Sequence, residues 1–399
     1  MCRRRGWAST TPTSCARCSN FQTPRSRRCM RAARWAHQSR RSKMAESAVT
    51  SSVRRVLEDT AAIQSVIASH DGSWRGRLWS GIEEVGMNVA AAPESSGGAG
   101  LGLRESFDLL RVAGNLALEA PIADTMLANW MLGAAGLDTR AGKIAFGPSS
   151  FADAVSLKND TVNASLKRLP FASDCKEAVL LAQARDGLSV VLVSLEAMAC
   201  TTRFSLAGEP VCEFAPQPFK VLASAPAPAG FTAATTMLMG AAARSMLVAG
   251  ALETLLSLTS EHVMQRRAFG RTISGFQAVQ QLVARLAGDV AVSVSAASSA
   301  AEAADSLLDS DASFDDPGLQ LEIMSAKVRN AGAAQSACAI AHELFGAIGV
   351  TSEHPLHRLS LRALAWSDEF GNEVEWSRRL GALMCGRGAQ AFWSLLATR

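Results

Sequence analysis

The chain has 399 residues, of which 48% are hydrophobic and 19% charged, with a net charge of +4. This length predicts two or three domains, and the hydrophobic share is enough for a large core, which excludes a disordered chain. No uninterrupted apolar run reaches the roughly 18 residues that a spanning helix needs, so we expect no membrane span.

The positive charge belongs to the first 43 residues. They hold eleven Arg, one Lys and no acid, whereas residues 44–399 hold 28 bases and 36 acids and give no indication of a nucleic-acid binder. We expect residues 1–43 to be a disordered or misassigned basic leader. They fit an Arg-rich targeting peptide or sequence upstream of a start at Met44, and the lack of an amphipathic stripe favours the second. Cys15 and Cys18 have zinc-ligand spacing, but no second pair follows, so we expect no metal site.

Residues 44–142 are predicted to form an N-terminal helical domain. Leu78 and Ile82 repeat at helical spacing, as do Phe107 and Leu110 after a glycine-rich loop at 93–102.

Residues 143–225 are predicted to form a short β domain. The apolar runs 177–183 and 188–195 flank an Asp-Gly pair and indicate a hairpin. The runs 211–214 and 219–222 indicate two further strands, and the Pro/Ala-rich stretch 223–230 is predicted to be a linker.

Residues 226–399 are predicted to form a C-terminal four-helix bundle, because four long amphipathic seams follow one another. Lys327 and Arg329 are expected to be solvated charges or charges at the end of the bundle. The five cysteines after residue 43 stand singly among apolar neighbours, which predicts reduced core thiols and a cytoplasmic protein.

Residues 266–280 combine basic, aromatic and glycine residues that could either end a helix or bind a ligand. A helix is predicted to end at Arg266 and Arg267, a Phe269-Gly270 turn reverses the chain, and a new helix follows. Cations complement the dipole at a helix C-terminus, so the pattern fits a capped helical hairpin. It also fits an anion site in which Arg binds pyrophosphate and Phe contacts a flat ring. The residues alone leave both interpretations open.

Three stretches resemble the acyl-CoA dehydrogenase family. Residues 266–280, R-R-A-F-G-R-T-I-S-G-F-Q-A-V-Q, are similar to its signature R-x-x-F-G-x-x-I-x-x-F-Q-A-V-Q. Residues 341–358 resemble its A-H-Q-x-x-G-G-x-G-x-T-x-E-H-P-L-H-R run, and residues 93–102 resemble its P-E-x-x-G-G-x-G-L-G loop. The order and approximate spacing are kept over residues 47–399, so the chain is identified as a divergent member of the family, of bacterial type.

The resemblance implies a mainly α fold with a small β domain, and FAD shared between the subunits of a homo- or hetero-oligomer. By motif position, Arg266 would meet the pyrophosphate of FAD held mainly by a neighbouring chain. Phe269 and Gln277 would line its adenosine side. Gly346 and Gly349 would let the backbone approach the phosphates, because a Cβ would collide there.

The reaction implied is the α,β-desaturation of an acyl-CoA, here with a bulky or branched acyl group. A carboxylate removes the α-proton, the flavin accepts a hydride, and an electron-transfer flavoprotein reoxidises it. The usual position of the base falls at Phe370, and the position that a minority of members use falls at Gly240. Glu369 is therefore the remaining candidate for the base, and Asp368 is the second candidate.

The sequence favours an active FAD-dependent dehydrogenase that uses Glu369. The alternative is a non-catalytic partner subunit that lends Arg266 and Gln277 to the FAD of a homologue. A helical scaffold without chemistry is a third interpretation. The place of the family's Thr-Glu-Pro motif is taken by Ala145 to Pro148, which offers neither hydroxyl nor carboxylate.

Overall fold

The N-terminal part of the described chain is helical. The computed structural model describes residues 47–61, 74–308 and 313–397, so the predicted leader and its cysteine pair lie outside the described residues. The first helices are α1 (Ala48–Ala61), α2 (Trp74–Glu84), α3 (Leu103–Asn115) and α4 (Ile122–Ala134). Leu78, Ile82, Phe107 and Leu110 are buried, as their spacing predicts. Helix α4 is buried on nearly all sides, which makes it a core helix.

Seven strands follow, and most of them close into a ring. They are β1 (Ile144–Gly147), β2 (Ala154–Lys158), β3 (Thr161–Pro170), β4 (Glu177–Ala184), β5 (Gly187–Ser194), β6 (Thr201–Phe204) and β7 (Pro210–Pro226). Strands β4, β2, β3, β7 and β5 pair in that order, and β5 pairs again with β4. Strand β1 lies parallel to β4, and β6 lies antiparallel to β7. The predicted hairpin is β4–β5, with Ala184 opposite Gly187.

Strand β7 corrects two expectations. The runs 211–214 and 219–222 are parts of one strand, because the pairing with β3 shifts register between Phe214 and Gln217. Such a bulge accommodates Pro216, which cannot donate to the ladder. The predicted linker 223–230 is also wrong in its first half, since β7 continues to Pro226 and pairs with β5.

Five C-terminal helices complete the described fold. They are α5 (Thr235–Gln265), α6 (Gln277–Leu308), α7 (Pro317–Phe345), α8 (Leu356–Asp368) and α9 (Glu373–Ala397, kinked at Gly388). Helices α5, α6 and α7 pack on one another, α8 packs on α5 and α7, and α9 packs on α7. The sequence seams did not predict α8 as a separate helix. The four-helix bundle stays a prediction.

Helices α5 and α6 are long and apolar enough to cross a membrane by length and composition alone. In α5, 78% of the apolar window is buried within the chain, as in a core helix, but in α6 only 22% is. Charged residues interrupt both helices, so neither forms the uninterrupted apolar run from which a membrane span would be predicted. Helix α6 therefore presents an apolar face outward, and Val292 on it is exposed.

The cysteines correct a further expectation. Cys175, Cys212 and Cys338 are buried as predicted, but Cys200 and Cys385 are exposed. The prediction of core thiols is therefore wrong for these two residues.

Candidate functional site

The two positions where the resemblance places a catalytic base lie in contact. Gly240 is near the start of α5, and Phe370 follows α8. A Cβ on Gly240 would stand only 2.1 Å from the Phe370 Cδ1 atom. Two positions from which a base can reach the same substrate carbon must be neighbours in space, so this contact marks the expected acyl site. Neither residue can take up a proton.

The Phe370 ring is fixed in that place. It is 1% exposed, and its backbone has a φ of 52°, in the left-handed region. Its ring centroid lies 6.0 Å from that of Phe146 and 5.0 Å from Arg244 Cζ. Trp376 Nε1 donates a hydrogen bond of 2.8 Å to the Phe370 carbonyl oxygen. Gly371 must be glycine, since its φ is 90° and a Cβ would lie 2.6 Å from Trp376 Nε1.

Glu369, the predicted base, belongs to a buried charge cluster of Asp124, Arg244 and Glu369. Its Oε2 atom forms an ion pair with Arg244 Nε, and the Glu369 Oε1 atom has no hydrogen-bond partner. Arg244 Nη2 donates to both oxygens of Asp124, at 2.9 and 2.8 Å. All three side chains are at least 94% buried.

The pKa values of this cluster reflect burial and pairing. Burial raises the pKa of Asp124 above its usual range, although the Arg244 guanidinium opposes the rise. Burial alone would lower the pKa of Arg244, but Asp124 and Glu369 more than offset this and raise it. Arg244 thus stays charged and holds both carboxylates.

Lys327 fixes the main chain beside the cluster. Its Nζ donates to the carbonyl oxygens of Trp366 and Glu369, at 2.9 and 2.6 Å. The prediction that Lys327 is solvated is wrong, because the residue is 1% exposed, whereas Arg329 is exposed as predicted. Burial lowers the pKa of Lys327 to about 7, against the opposing effect of Glu369.

A cavity of about 150 Å³ adjoins Glu369 and is lined on its other side by Ser149, Arg168 and Leu206. Pockets for small-molecule ligands usually measure about 300–1,000 Å³. The backbone amides of Ser149 and Ser150 are already engaged, since both donate to Asp153 Oδ2 at 2.9 Å. The described residues beside Glu369 therefore leave little room for an acyl group with a flavin.

Residues 266–272, which we call the basic hairpin, follow the C-terminal end of α5. Arg266 directly follows α5, and two short strands, β8 (Arg267–Ala268) and β9 (Arg271–Thr272), pair around a two-residue loop. Both loop residues have positive φ, 51° for Phe269 and 77° for Gly270, which defines a type I′ turn. The Phe269 side chain is 94% exposed. Asn, Asp or Gly usually occupies the first position of such a turn, so local preference does not explain this phenylalanine.

The predicted cofactor residues gather at this end of the helices. The His262 ring, one helical turn before Arg266, stacks on Phe345 with centroids 4.1 Å apart, and Gly346 follows Phe345 directly. Gln277, at the start of α6, is exposed, as are Arg266 and Gly346. An exposed guanidinium and an exposed ring suit a diphosphate joined to a flat base, so the chemistry of these residues fits FAD.

Gly349 differs from the other predicted cofactor residues. It is buried, and a Cβ there would stand 2.9 Å from both Leu356 Cδ2 and Phe345 Cβ. Packing within the chain therefore already requires a glycine at this position. Its approach to cofactor phosphates stays a prediction.

The structure does not bring the predicted base and the predicted cofactor residues together. Gly240 lies near the start of α5 and Arg266 follows its end. At about 1.5 Å per residue, the two ends are roughly 38 Å apart along the helix. Glu369 therefore lies near the start of α5, beside Gly240, and Arg266 lies beyond the end of that helix.

Sequence reasoning missed Asp124 and Arg244. The sequence did contain a sign of both residues, because each is a charged residue among the mostly buried residues of its helix. Charged residues are almost never fully buried unless they are paired, so the two should have been expected to meet.

This arrangement of helices, strand ring and C-terminal helices is that of an acyl-CoA dehydrogenase-like fold. The ChsE4–ChsE5 complex from Mycobacterium tuberculosis shares it with a TM-score of 0.72 and 20% identity, covering 86% of this chain and 97% of that one. The Tcur3481–Tcur3483 steroid acyl-CoA dehydrogenase, in a variant form, shares it with a TM-score of 0.70 and 19% identity, covering 85% and 97%.

Sequence comparison agrees with the fold. Residues 229–373 match the family model of the acyl-CoA dehydrogenase C-terminal domain. Acyl-CoA dehydrogenase FadE27 of Mycobacterium tuberculosis is 25% identical over 341 residues, which cover 76% of this chain and 87% of the relative. Residues 229–373 therefore belong to the acyl-CoA dehydrogenase C-terminal domain family.

Proposed function

We propose that the chain is the non-catalytic subunit of a heteromeric acyl-CoA dehydrogenase that desaturates an acyl-CoA thioester between its α and β carbons. The observation that carries this proposal is the contact between Phe370 and Gly240. An apolar ring fills the place where either form of the family's base would stand. The nearest carboxylate, Glu369, is paired with Arg244.

The contribution of the chain lies in its basic hairpin. Arg266 would bind the pyrophosphate of FAD held mainly by the partner, and Phe269 and Gln277 would contact its adenosine side. FAD, when bound, would supply the hydride acceptor of the reaction. The separation of roughly 38 Å between the hairpin and the chain's own acyl site supports a flavin that belongs to another subunit.

The assembly also accounts for the exposed face of α6. Ala284, Gly288 and Val292 on that face are exposed, and small residues allow helices to approach closely. A partner subunit that covers this face of the predicted bundle 226–399 would bury apolar surface, which favours association.

Among the fold relatives, one is a complex of ChsE4 with ChsE5 and another is a steroid acyl-CoA dehydrogenase. These support a hetero-oligomer and a bulky acyl group, and an electron-transfer flavoprotein stays the proposed electron acceptor.

The test is co-purification with each acyl-CoA dehydrogenase homologue from the same genome. We expect the isolated chain to be colourless, and one co-expressed pair to be a yellow hetero-oligomer whose flavin absorbance is bleached by acyl-CoA. Arg266→Ala should remove FAD from that pair without unfolding the chain. The matched control is Arg104→Ala, because Arg104 is 62% exposed on α3 and lies outside the hairpin. A yellow, active isolated chain would contradict the proposal.

A second candidate, an active chain that uses Glu369 as its base, is favoured by one observation. The Glu369 Oε1 atom has no hydrogen-bond partner, and the residue lines the 150 Å³ cavity. Glu369→Gln separates the two functions, because it keeps the size of the side chain and removes its basicity. We expect flavin reduction in the hetero-oligomer to survive this change. Loss of reduction in a variant that remains folded would favour the second candidate.

A further inference from the structure

Two thiols lie next to each other on the edge of the β domain. Cys200 directly precedes β6, and Cys212 lies on β7, where it pairs with Thr202. Alternate residues of a strand share a face, so Cys200, Thr202 and Cys212 point to the same side. The Thr202 Oγ1 atom is 3.8 Å from the Cys200 sulfur and 3.6 Å from the Cys212 sulfur. One hydroxyl group therefore separates the two thiols.

The two thiols differ in access to solvent. Cys200 is exposed, and the Cys212 side chain is completely buried. Burial raises the pKa of the Cys212 thiol, and the neighbouring Cys200 adds to this rise. A reagent in solution can thus reach Cys200 first, and Cys212 can react only with a group already attached to Cys200.

The backbone allows the two sulfurs to meet. A disulfide needs Cα atoms about 4.4–6.8 Å apart. Diagonal neighbours on antiparallel strands start at roughly 7–8 Å. Cys200 lies outside the ladder, because β6 begins at Thr201, and it follows a loop after β5. A shift of the Cys200 backbone by about 1–2 Å, with rotation of the Thr202 side chain, brings the pair within bonding geometry.

We propose that Cys200 and Cys212 form a redox-active thiol pair that a low-molecular-weight disulfide converts into an intramolecular disulfide. The Cys200 thiolate attacks one sulfur of the small disulfide, breaks its S–S bond and releases one small thiol. The Cys212 thiolate then attacks the Cys200 sulfur and releases the second. The protein loses two electrons and two protons, and the small disulfide gains them as two thiols. In a reducing compartment such a bond is transient, as in redox-sensing proteins.

The β6–β7 hairpin that carries the pair also lines the cavity beside Glu369. The turn between β6 and β7 contributes Leu206 to the lining, and β7 contributes Val211, next to Cys212. The disulfide ties the start of β6 to β7 and so restrains this hairpin. The inference does not depend on the proposed function, because it concerns only thiols of this chain.

The test uses the full reduced chain, oxidised glutathione as the small disulfide, alkylation of remaining thiols and digestion with trypsin. Arg203 lies between the two cysteines, so digestion yields the separate peptides 186–203 and 204–220. We expect most molecules to yield these peptides joined, two hydrogen masses lighter than their sum, and dithiothreitol to separate them. In Cys212→Ala, Cys200 should instead retain glutathione.

Cys385 is the matched control, since it is exposed on α9 and should carry glutathione in every variant. The wild-type peptide map needs no substitution, so the result does not depend on whether the buried Cys212→Ala variant folds. Glutathione retained on Cys200 in the wild type, with Cys212 alkylated, would overturn the proposal.

Discussion

Phe269 and Phe370 share a backbone conformation but have opposite surroundings. Their φ angles are 51° and 52°, in a region that costs a residue of this kind about 1–3 kcal/mol. Phe370 is 1% exposed and Phe269 is 94% exposed. The buried ring offsets the strain by packing on Gly240, Phe146 and Arg244. The exposed ring forms a T-shaped pair with Phe276, with centroids 6.1 Å apart.

The difference shows which site can receive a ligand from outside the chain. The ring of Phe370 and the charge of Glu369 have partners within the fold, and the Glu369 Oε1 atom alone of that carboxylate has no hydrogen-bond partner. The hairpin around Phe269 leaves a ring and several guanidinium groups in solvent. The exposed and strained Phe269 is the feature of the hairpin that supports the proposal of a shared cofactor there.

The largest expected effect is the loss of the buried ring. Phe370→Ala removes ring contacts with α5 and β1 and leaves a cavity, so we expect the free energy of unfolding to fall by about 3–5 kcal/mol. Urea denaturation of the purified chain measures this. Phe269→Ala is the matched control, with the same substitution at the same φ, and should change stability by less than about 0.5 kcal/mol. Equal losses in the two variants would remove the distinction between the sites.

The contact of Phe370 with Gly240 can be tested with Gly240→Ala, whose effect on stability should change sign when Phe370 is also replaced. Gly240→Ala places a methyl group 2.1 Å from the ring, so we expect a loss of about 1–3 kcal/mol in stability. In the Phe370→Ala background the clash is gone, and alanine should instead stabilise α5 by up to about 1 kcal/mol. Gly250→Ala on the same helix is the control, because its methyl group would meet the Arg111 carbonyl oxygen, at 2.0 Å, in either background. An unchanged penalty at Gly240 would contradict the packing.

The buried site should also respond to pH through Lys327. Its pKa falls from the usual 10.5 to about 7 in the folded chain, so between pH 7 and 10 the unfolded chain binds one proton more. The free energy of unfolding therefore rises with pH across this window, by at most about 1.4 kcal/mol per pH unit, and the effect vanishes below pH 7. We expect Lys327→Met to flatten this rise in denaturation curves measured from pH 6 to 10. The half-buried Lys167, substituted in the same way, should leave the rise in place.

The sequence predicted local features well. Apolar spacing located α2, α3 and the long C-terminal helices, and the hairpin of β4 and β5 followed from its turn residues. The pattern at Arg266 and Phe269 also gave a helix end followed by a tight turn, as observed. Each of these features depends on residues close together in the chain.

The buried site could not be predicted in the same way, because it depends on distant pairs. Arg244 meets Asp124 across 120 positions and Glu369 across 125. No local spacing places an arginine between two such carboxylates. Strand β7 was divided in two for a related reason, since the bulge at Pro216 becomes evident only from the pairing of β7 with β3.

The smallest expected effect concerns the exposed hairpin, and its sign is informative. Asparagine is preferred where Phe269 stands in the type I′ turn, so Phe269→Asn should relieve strain and stabilise the isolated chain by about 1 kcal/mol. The same substitution removes the ring proposed to contact the partner's FAD, so the hetero-oligomer should bind FAD more weakly. Denaturation of the chain alone and flavin retention by the pair measure the two effects. A variant that is less stable alone would show that Phe269 serves the fold of its own chain, and the hairpin would then lose its distinction from the site around Phe370.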